Sequence, residues 1–251
     1  MSTLAELLDG LVVAGDGFFV AVDSDWLQGR TLYGGLSAAL CVAAAGRAFD
    51  GLPPLRSAQI AFVGPATGGI SIVPSVLRKG KSTVFAGVDL FGDAGLATRA
   101  MLCFGAARNS VLAMNDVAMP VVPAPEDCAG FFKDGPRPGF VQHFDIRSAG
   151  ESLVWVRHRN DAGVDPAVSL ITLADVPPPA GMALLTGPAP VSTMTWAVDF
   201  LEAHTAPDDG WRLLRSRAET AAGGYSTQLM NVWSRHGIPL AAGRQSVAVF
   251  A

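Results

Sequence analysis

The chain predicts an α+β fold made of two similar halves, each a long helix packed against a curled antiparallel sheet. The first observation behind this is an order of elements that occurs twice. Gly34-Gly35 opens an Ala-rich apolar stretch, residues 36–45, and strand-like runs follow as far as Phe104-Gly105. Residues 165–174 form a second helix-like stretch, and strand-like runs again follow, as far as Gln245 and Phe250. The second observation is that landmark residues pair at a nearly fixed offset. Phe62 and Phe200 lie 138 residues apart, while Phe91 and Trp233, like Gly95 and Gly237, lie 142 apart. A small insertion in the loop 203–210 accounts for the difference.

Each element has a local reason. Residues 18–22 are a short apolar run that reads as a strand, and 26–30 read as a loop. Leu32, Gly35, Leu36, Ala39, Leu40 and Ala43 then fall on one face of a helix. The opposite face, with Ala38, Cys41, Val42 and Ala45, is apolar too, so this helix is expected to be buried all round. Pro53-Pro54 ends the unit. Residues 57–63, 69–78, 82–91 and 96–106 are short runs punctuated by Gly and Pro, with a turn at Asp93-Ala94-Gly95, and they read as an antiparallel meander. The Pro-, Gly- and Asp-rich stretch 111–139 reads as a linker, which divides the chain into 1–110 and 140–251.

In the second unit, strands are expected at 140–146 and 151–159. Asp165-Pro166 has the N-cap and N1 residues of a helix start, and Val168, Ile171 and Thr172 give an inner face. Pro177-Pro178-Pro179 must end that helix soon after Asp175, because proline disfavours a helical residue before it. Runs at 191–201, 211–220, 226–234 and 239–250 repeat the meander.

Composition narrows the function classes. Half of the 251 residues are hydrophobic, only 16% are charged, and the mean hydropathy is +0.35. No apolar run is long and uncharged enough to span a bilayer. The apolar excess is therefore assigned to a large core, a ligand tunnel or a subunit interface. The N-terminus carries Glu6 and Asp9 and has no basic region of a secretory signal. Cys41, Cys103 and Cys128 lack metal-type spacing and read as buried thiols, which fits a cytoplasmic location. With a net charge of −4 and no block of Lys or Arg, nucleic-acid binding is not expected.

Three stretches carry a resemblance to a known family: Tyr33-Gly34-Gly35, Leu77-Arg78-Lys79-Gly80-Lys81-Ser82, and Gln245 in the strand after Gly243-Arg244. In order and spacing on a duplicated scaffold, the chain resembles the double-hotdog acyl-CoA thioesterases of the thioesterase II (TesB-like) group. The resemblance implies a double hotdog, with two sheets each wrapped around a helix and joined side by side. It also implies hydrolysis of an acyl-CoA thioester, without cofactor or metal, in a homo-oligomer. It places the catalytic set on Asp175 at the end of the second helix, Thr193 on the next strand and Gln245 on the last, with Ser192 and Thr195 as alternative hydroxyls. Gly34, Gly35, Arg78, Lys79 and Lys81 become the substrate-binding candidates. Two departures stand out: Leu36 where relatives often carry Gln, and a denser proline run after Asp175.

The residue types suit that chemistry. Thioester hydrolysis needs a positioned water, a group to accept its proton and donors for the oxyanion. Asp175 can accept, Gln245 can both donate and accept, and Thr193 adds a hydroxyl. Backbone N–H groups at the Gly34-Gly35 helix start could hold the oxyanion. Competing chemistries lack their signatures. No Gly-x-Ser-x-Gly elbow occurs, and His143, His158, His204 and His236 are expected in polar, turn-like settings. No metal spacing, dinucleotide fingerprint or hydratase-type Asp-x-Asn-Pro-x-His segment is present. The alternative from another class is a non-catalytic acyl-CoA or lipid-binding protein on the same scaffold, with Trp26 and Tyr33 as packing residues.

Overall fold

A computed structural model describes residues 2–132, 137–201 and 209–250. The chain begins with a short helix, α1 (Leu4–Asp9), which the sequence reading did not anticipate. Its start is a capping box: the Thr3 hydroxyl accepts from Glu6 N–H, and the Glu6 carboxylate accepts from Thr3 N–H. Strands β1 (Val12–Ala14) and β2 (Gly17–Ala21) follow. A small hairpin, β3 (Leu27–Gln28) and β4 (Thr31–Leu32), leads into α2 (Gly34–Ala48). Then come β5 (Leu55–Phe62), β6 (Gly69–Lys79), β7 (Thr83–Gly92) and β8 (Gly95–Gly105). The second half contains β9 (Phe144–Gly150), β10 (Leu153–His158) and α3 (Pro166–Ala174). It ends with β11 (Val191–Phe200), β12 (Arg212–Ala222), β13 (Tyr225–Ser234) and β14 (Pro239–Val249).

Twelve strands form one sheet in the order β1-β2-β6-β7-β8-β5-β11-β14-β13-β12-β10-β9. That order is the same six-strand pattern written twice, the second time in mirror order. The halves join where β5 pairs antiparallel with β11, from Thr195 opposite Ala61 to Asp199 opposite Ser57. This is the double hotdog the sequence predicted. The insertion expected in the loop 203–210 lies largely outside the described residues.

Helix α2 forms from good helix formers and is buried from Gly35 to Ala45 except for half-exposed Ala43, as its all-round apolar pattern predicts. Leu36 and Leu40 are fully enclosed, and each such burial contributes on the order of 1.5–3 kcal/mol relative to exposure. In α3, Asp165 Oδ1 accepts from the backbone N–H groups of Ala167 and Val168, and Pro166 sits where no donor is needed. The two helices pack on each other and are tied by Tyr33, whose buried hydroxyl donates to the Thr172 carbonyl at 2.8 Å.

The stretch read as a linker is more than a tether. Val117, Met119 and Val122 pack on Trp155, Trp211 and Trp233 of the second half. Two indole N–H groups fasten it: Trp233 donates to the Val117 carbonyl at 2.7 Å and Trp155 to the Pro123 carbonyl at 2.9 Å. The sparse apolar positions there hid this role, because two of the anchors come from the partner side chains. His236 lies exposed in a turn, as expected, but two other histidines depart from expectation. His143 is buried and stacked on Trp26 at 3.8 Å, which lowers its pKa mainly by desolvation, and His158 Nε2 meets the Ser169 carbonyl. His204 lies outside the described residues.

Candidate active site

The C-terminal end of α3 meets the N-terminal end of α2, and Asp175 stands at that junction as the C-cap of α3. Glycine at 34 and 35 is what lets the two ends approach. A Cβ on Gly34 would lie 2.7 Å from Asp175 Oδ2, and one on Gly35 would lie 2.5 Å from the Thr172 carbonyl oxygen. Any larger residue would push the helices apart or displace the carboxylate.

Gln245 reaches this junction from β14, its Nε2 donating to Asp175 Oδ1 at 2.6 Å. The strand alternation of β14 puts Gln245 and Val247 on the inner face, both nearly inaccessible. Asp175 itself keeps some exposure as a residue. Burial pushes its carboxyl up to about 7, against the opposing pull of hydrogen bonds from Gln245 and the Gly35 N–H. A carboxyl titrating near neutral pH is suited to proton transfer.

Beside Gln245 lies a second buried amide that the sequence reading missed. Gln228 on β13 is directly opposite Gln245, and its Nε2 donates to Gln245 Oε1 at 2.7 Å. Its own Oε1 accepts from the Ala180 backbone N–H at 2.7 Å. A polar residue in the otherwise alternating apolar face of β13 was the available signal.

Thr193 pairs with Val247, so it shares the inner face with Gln245, one row further along the strand. A bulge at Met194 resets the register, so that Thr195 pairs with Ser246. Ser192 and Thr195 are exposed and Thr193 is half-buried, which favours Thr193 as the cleft-side hydroxyl. Among the described residues the Thr193 side chain makes no hydrogen bond, so Asp175 and Gln245 are in direct contact and Thr193 is nearby. On the other side of Val247 stands Ser226, a buried hydroxyl without a partner among the described residues.

The remaining candidates are placed elsewhere or used differently. The Gly35 N–H, expected for the oxyanion, is directed at Asp175. Arg78, Lys79 and Lys81 are exposed at the β6–β7 hairpin. Lys79 borders a cavity of about 280 Å³ with Ala48, Phe49 and Asp50, at the far end of α2. That end is about 20 Å from Gly34, the length of a 15-residue helix. Neither that cavity nor one of about 140 Å³ lined by Val22, Leu32 and Ile70 touches Asp175. Trp26 and Tyr33 are fully buried, as packing residues should be.

Comparison with known proteins decides the family. The acyl-CoA thioesterase N-terminal domain matches residues 22–105, and the acyl-CoA thioesterase C-terminal domain matches residues 123–249. The chain belongs to the acyl-CoA thioesterase family. It is a thioester hydrolase, and its fold agrees. A hot dog protein of unknown function from Alicyclobacillus acidocaldarius superposes with TM-score 0.86 at 24% identity, covering 100% of this chain and 99% of that one. The tesB protein of Mycobacterium avium subsp. paratuberculosis gives TM-score 0.82 at 19% identity, with both chains covered completely. Acyl-CoA thioesterase II TesB2 of Mycobacterium marinum gives 0.79 at 20% identity, covering 98% and 97%. No curated protein matches this chain in sequence. The family match to the C-terminal domain begins within the strap that closes over Trp155 and Trp233.

Proposed function

We propose that this thioesterase hydrolyses an acyl-CoA thioester by direct attack of water, with Asp175 as the general base. The observation that carries this reading is the Gln245-to-Asp175 hydrogen bond at the mouth of α2, on a carboxyl that titrates near neutral pH. Asp175 Oδ2 takes a proton from water as its oxygen attacks the thioester carbonyl. The tetrahedral intermediate collapses with cleavage of the C–S bond, and the departing thiolate of coenzyme A takes up the proton that Asp175 acquired. The N-terminal end of α2, starting at Gly34, supplies positive potential for the oxyanion. Thr193 completes the water site from the inner face of β11. No covalent enzyme intermediate is needed.

Arg78, Lys79 and Lys81 would meet the phosphates of coenzyme A only in a substrate that extends along the length of α2. The acyl group is left open between straight-chain, branched and aromatic acids. The test is coenzyme A release across such a panel, by the wild type and by Asp175→Asn. Loss of at least about 100-fold in the variant is expected, the scale for removing a positioned acid–base group. Full activity in Asp175→Asn would overturn the reading.

A further inference from the structure

We infer that Gln228 is a positioning residue that fixes which way the Gln245 amide points, and so delivers an N–H to the catalytic carboxylate. The inference rests on Asp175 being the base. Its ground is the polarity of a closed chain of hydrogen bonds: Ala180 N–H to Gln228 Oε1, Gln228 Nε2 to Gln245 Oε1, and Gln245 Nε2 to Asp175 Oδ1, at 2.7, 2.7 and 2.6 Å. A primary amide has an acceptor end and a donor end of nearly the same shape, and its orientation is set by its neighbours.

Here the neighbours leave one choice. The Ala180 N–H can only donate, so Gln228 must face it with oxygen and turn its NH2 toward Gln245. Gln245 must then face Gln228 with oxygen and turn its NH2 toward Asp175. Reversing both amides would set donor against donor at Ala180 and oxygen against carboxylate at Asp175. Both glutamines are almost fully buried, so water cannot rescue a wrong orientation.

The chain starts and ends on one short segment, because Ala180 follows Asp175 by five residues. Between them, Pro177, Pro178 and Pro179 have no N–H, and the Val176 N–H is taken by the Leu173 carbonyl. Ala180 therefore offers the first free donor after the helix, at the end of a stiff spacer. The dense proline run thereby gains a role: it holds the donor that sets the direction of the whole loop.

Two variants test this. Gln228→Met keeps the shape and removes both ends of the amide. Ala180→Pro leaves Gln228 in place and removes only the first donor; Pro179 already has the extended φ −51 and ψ 128 that a following proline requires. In each, kcat with an acyl-CoA substrate should fall about tenfold or more at pH 7, with KM changed less than about twofold, the scale of a hydrogen bond to a charged group. The acidic limb of the kcat/KM profile should move to higher pH, since the lost N–H favoured the ionised carboxylate.

A titration of the Asp175 carboxyl carbon by NMR, assigned by its loss in Asp175→Asn, should move in the same direction without any substrate. Folded Gln228→Met or Ala180→Pro protein with the wild-type titration and wild-type kcat overturns the inference. Should Gln228→Met fail to fold, Ala180→Pro decides alone. If Asp175→Asn stays active, the base assignment has failed, and the NMR titration still judges the relay.

Discussion

The two halves carry the same strands in mirror order, yet matched positions on their inner faces differ in chemistry, most plainly at one cross-strand pair. In the first half, the hairpin bulge beside Leu90 and Thr98 is followed four steps on by Ala86 opposite Leu102. In the second, the bulge beside Val232 and Ala241 is followed four steps on by Gln228 opposite Gln245. Ala86 and Leu102 are completely buried and apolar; Gln228 and Gln245 are as deeply buried and polar. The scaffold thus accepts either pair. What makes the polar pair tolerable is that each amide end finds a partner, with Ala180 at one end of the chain and Asp175 at the other. On the proposed reading, the first half supplies packing and a helix start, and the second supplies Asp175 and Gln245 beside it.

The outer faces differ as well. In the second half the tryptophans are covered by the 117–123 strap. In the first half Val73, Leu77 and Met101 remain exposed. The two halves share one strand pattern and differ on both faces of the sheet.

The sharpest way to break the comparison is to treat the matched positions alike. Gln245→Leu, which copies the first half into the second, should lower kcat by about 100-fold or more, since it leaves Asp175 without its donor and Gln228 without its acceptor. Leu102→Ala in the first half should leave kcat within about twofold while costing about 2–5 kcal/mol of stability from the cavity. Steady-state kinetics and chemical denaturation separate the two. An equal loss of activity in both would remove the division of labour.

A smaller effect is expected where the halves touch. In Gly34→Ala the new Cβ lies 2.7 Å from Asp175 Oδ2 and must displace it. Activity should fall about tenfold while thermal stability changes little. In Gly35→Ala the clash is with the Thr172 backbone and Tyr33, so stability should fall by about 1–3 kcal/mol as well. Thermal melts alongside coenzyme A release test the contrast.

The raised carboxyl gives a pH signature. Its folded pKa of about 7 lies above the unfolded value, so the folded state holds the proton more tightly. Its contribution to stability is fully present below about pH 4 and is lost as pH rises toward 7. Relative to wild type, Asp175→Asn should therefore gain stability across that window, by a few kcal/mol at most, and then level off. Melting curves from pH 4 to 8 measure it. The smallest effect is at the far end of α2, where Lys79→Ala should change stability by less than about 0.5 kcal/mol. A several-fold rise in KM at low salt, absent at high salt, would extend the site to that end.

Much of this was legible in the chain. Helix α2 is announced by its period and α3 by Asp165-Pro166 and the proline run, while the meanders follow from alternation between Gly and Pro turns. Gln245 stands out as a polar residue in an otherwise apolar strand, whereas Asp175, an ordinary helix-end residue by pattern, is singled out only by the family resemblance. Gln228 meets the same criterion as Gln245, but its partners across the sheet are not visible in sequence. Helix α1 was missed because six residues carry too little periodicity, although Thr3 and Glu6 have the spacing of a capping box. The strap over Trp155 and Trp233 could not be read, because its anchors are indole donors more than thirty residues away.

The sequence by itself determined the duplicated order of helix and meander, and its resemblance to a known family pointed to the double hotdog and to Asp175, Thr193 and Gln245 as candidates. Period, turn chemistry and helix caps act over a few residues, and they need only short-range sterics and hydrogen bonding. Only the tertiary structure decided that Gly34 abuts Asp175 and that the Gly35 N–H serves the carboxylate. It alone decided that the β11 bulge turns Thr193 inward, and that Ala180, Gln228 and Gln245 set a single direction of donation. Those outcomes depend on register and on the meeting of two helix ends across the β5–β11 seam, where residues over a hundred positions apart must find one another's donors and acceptors.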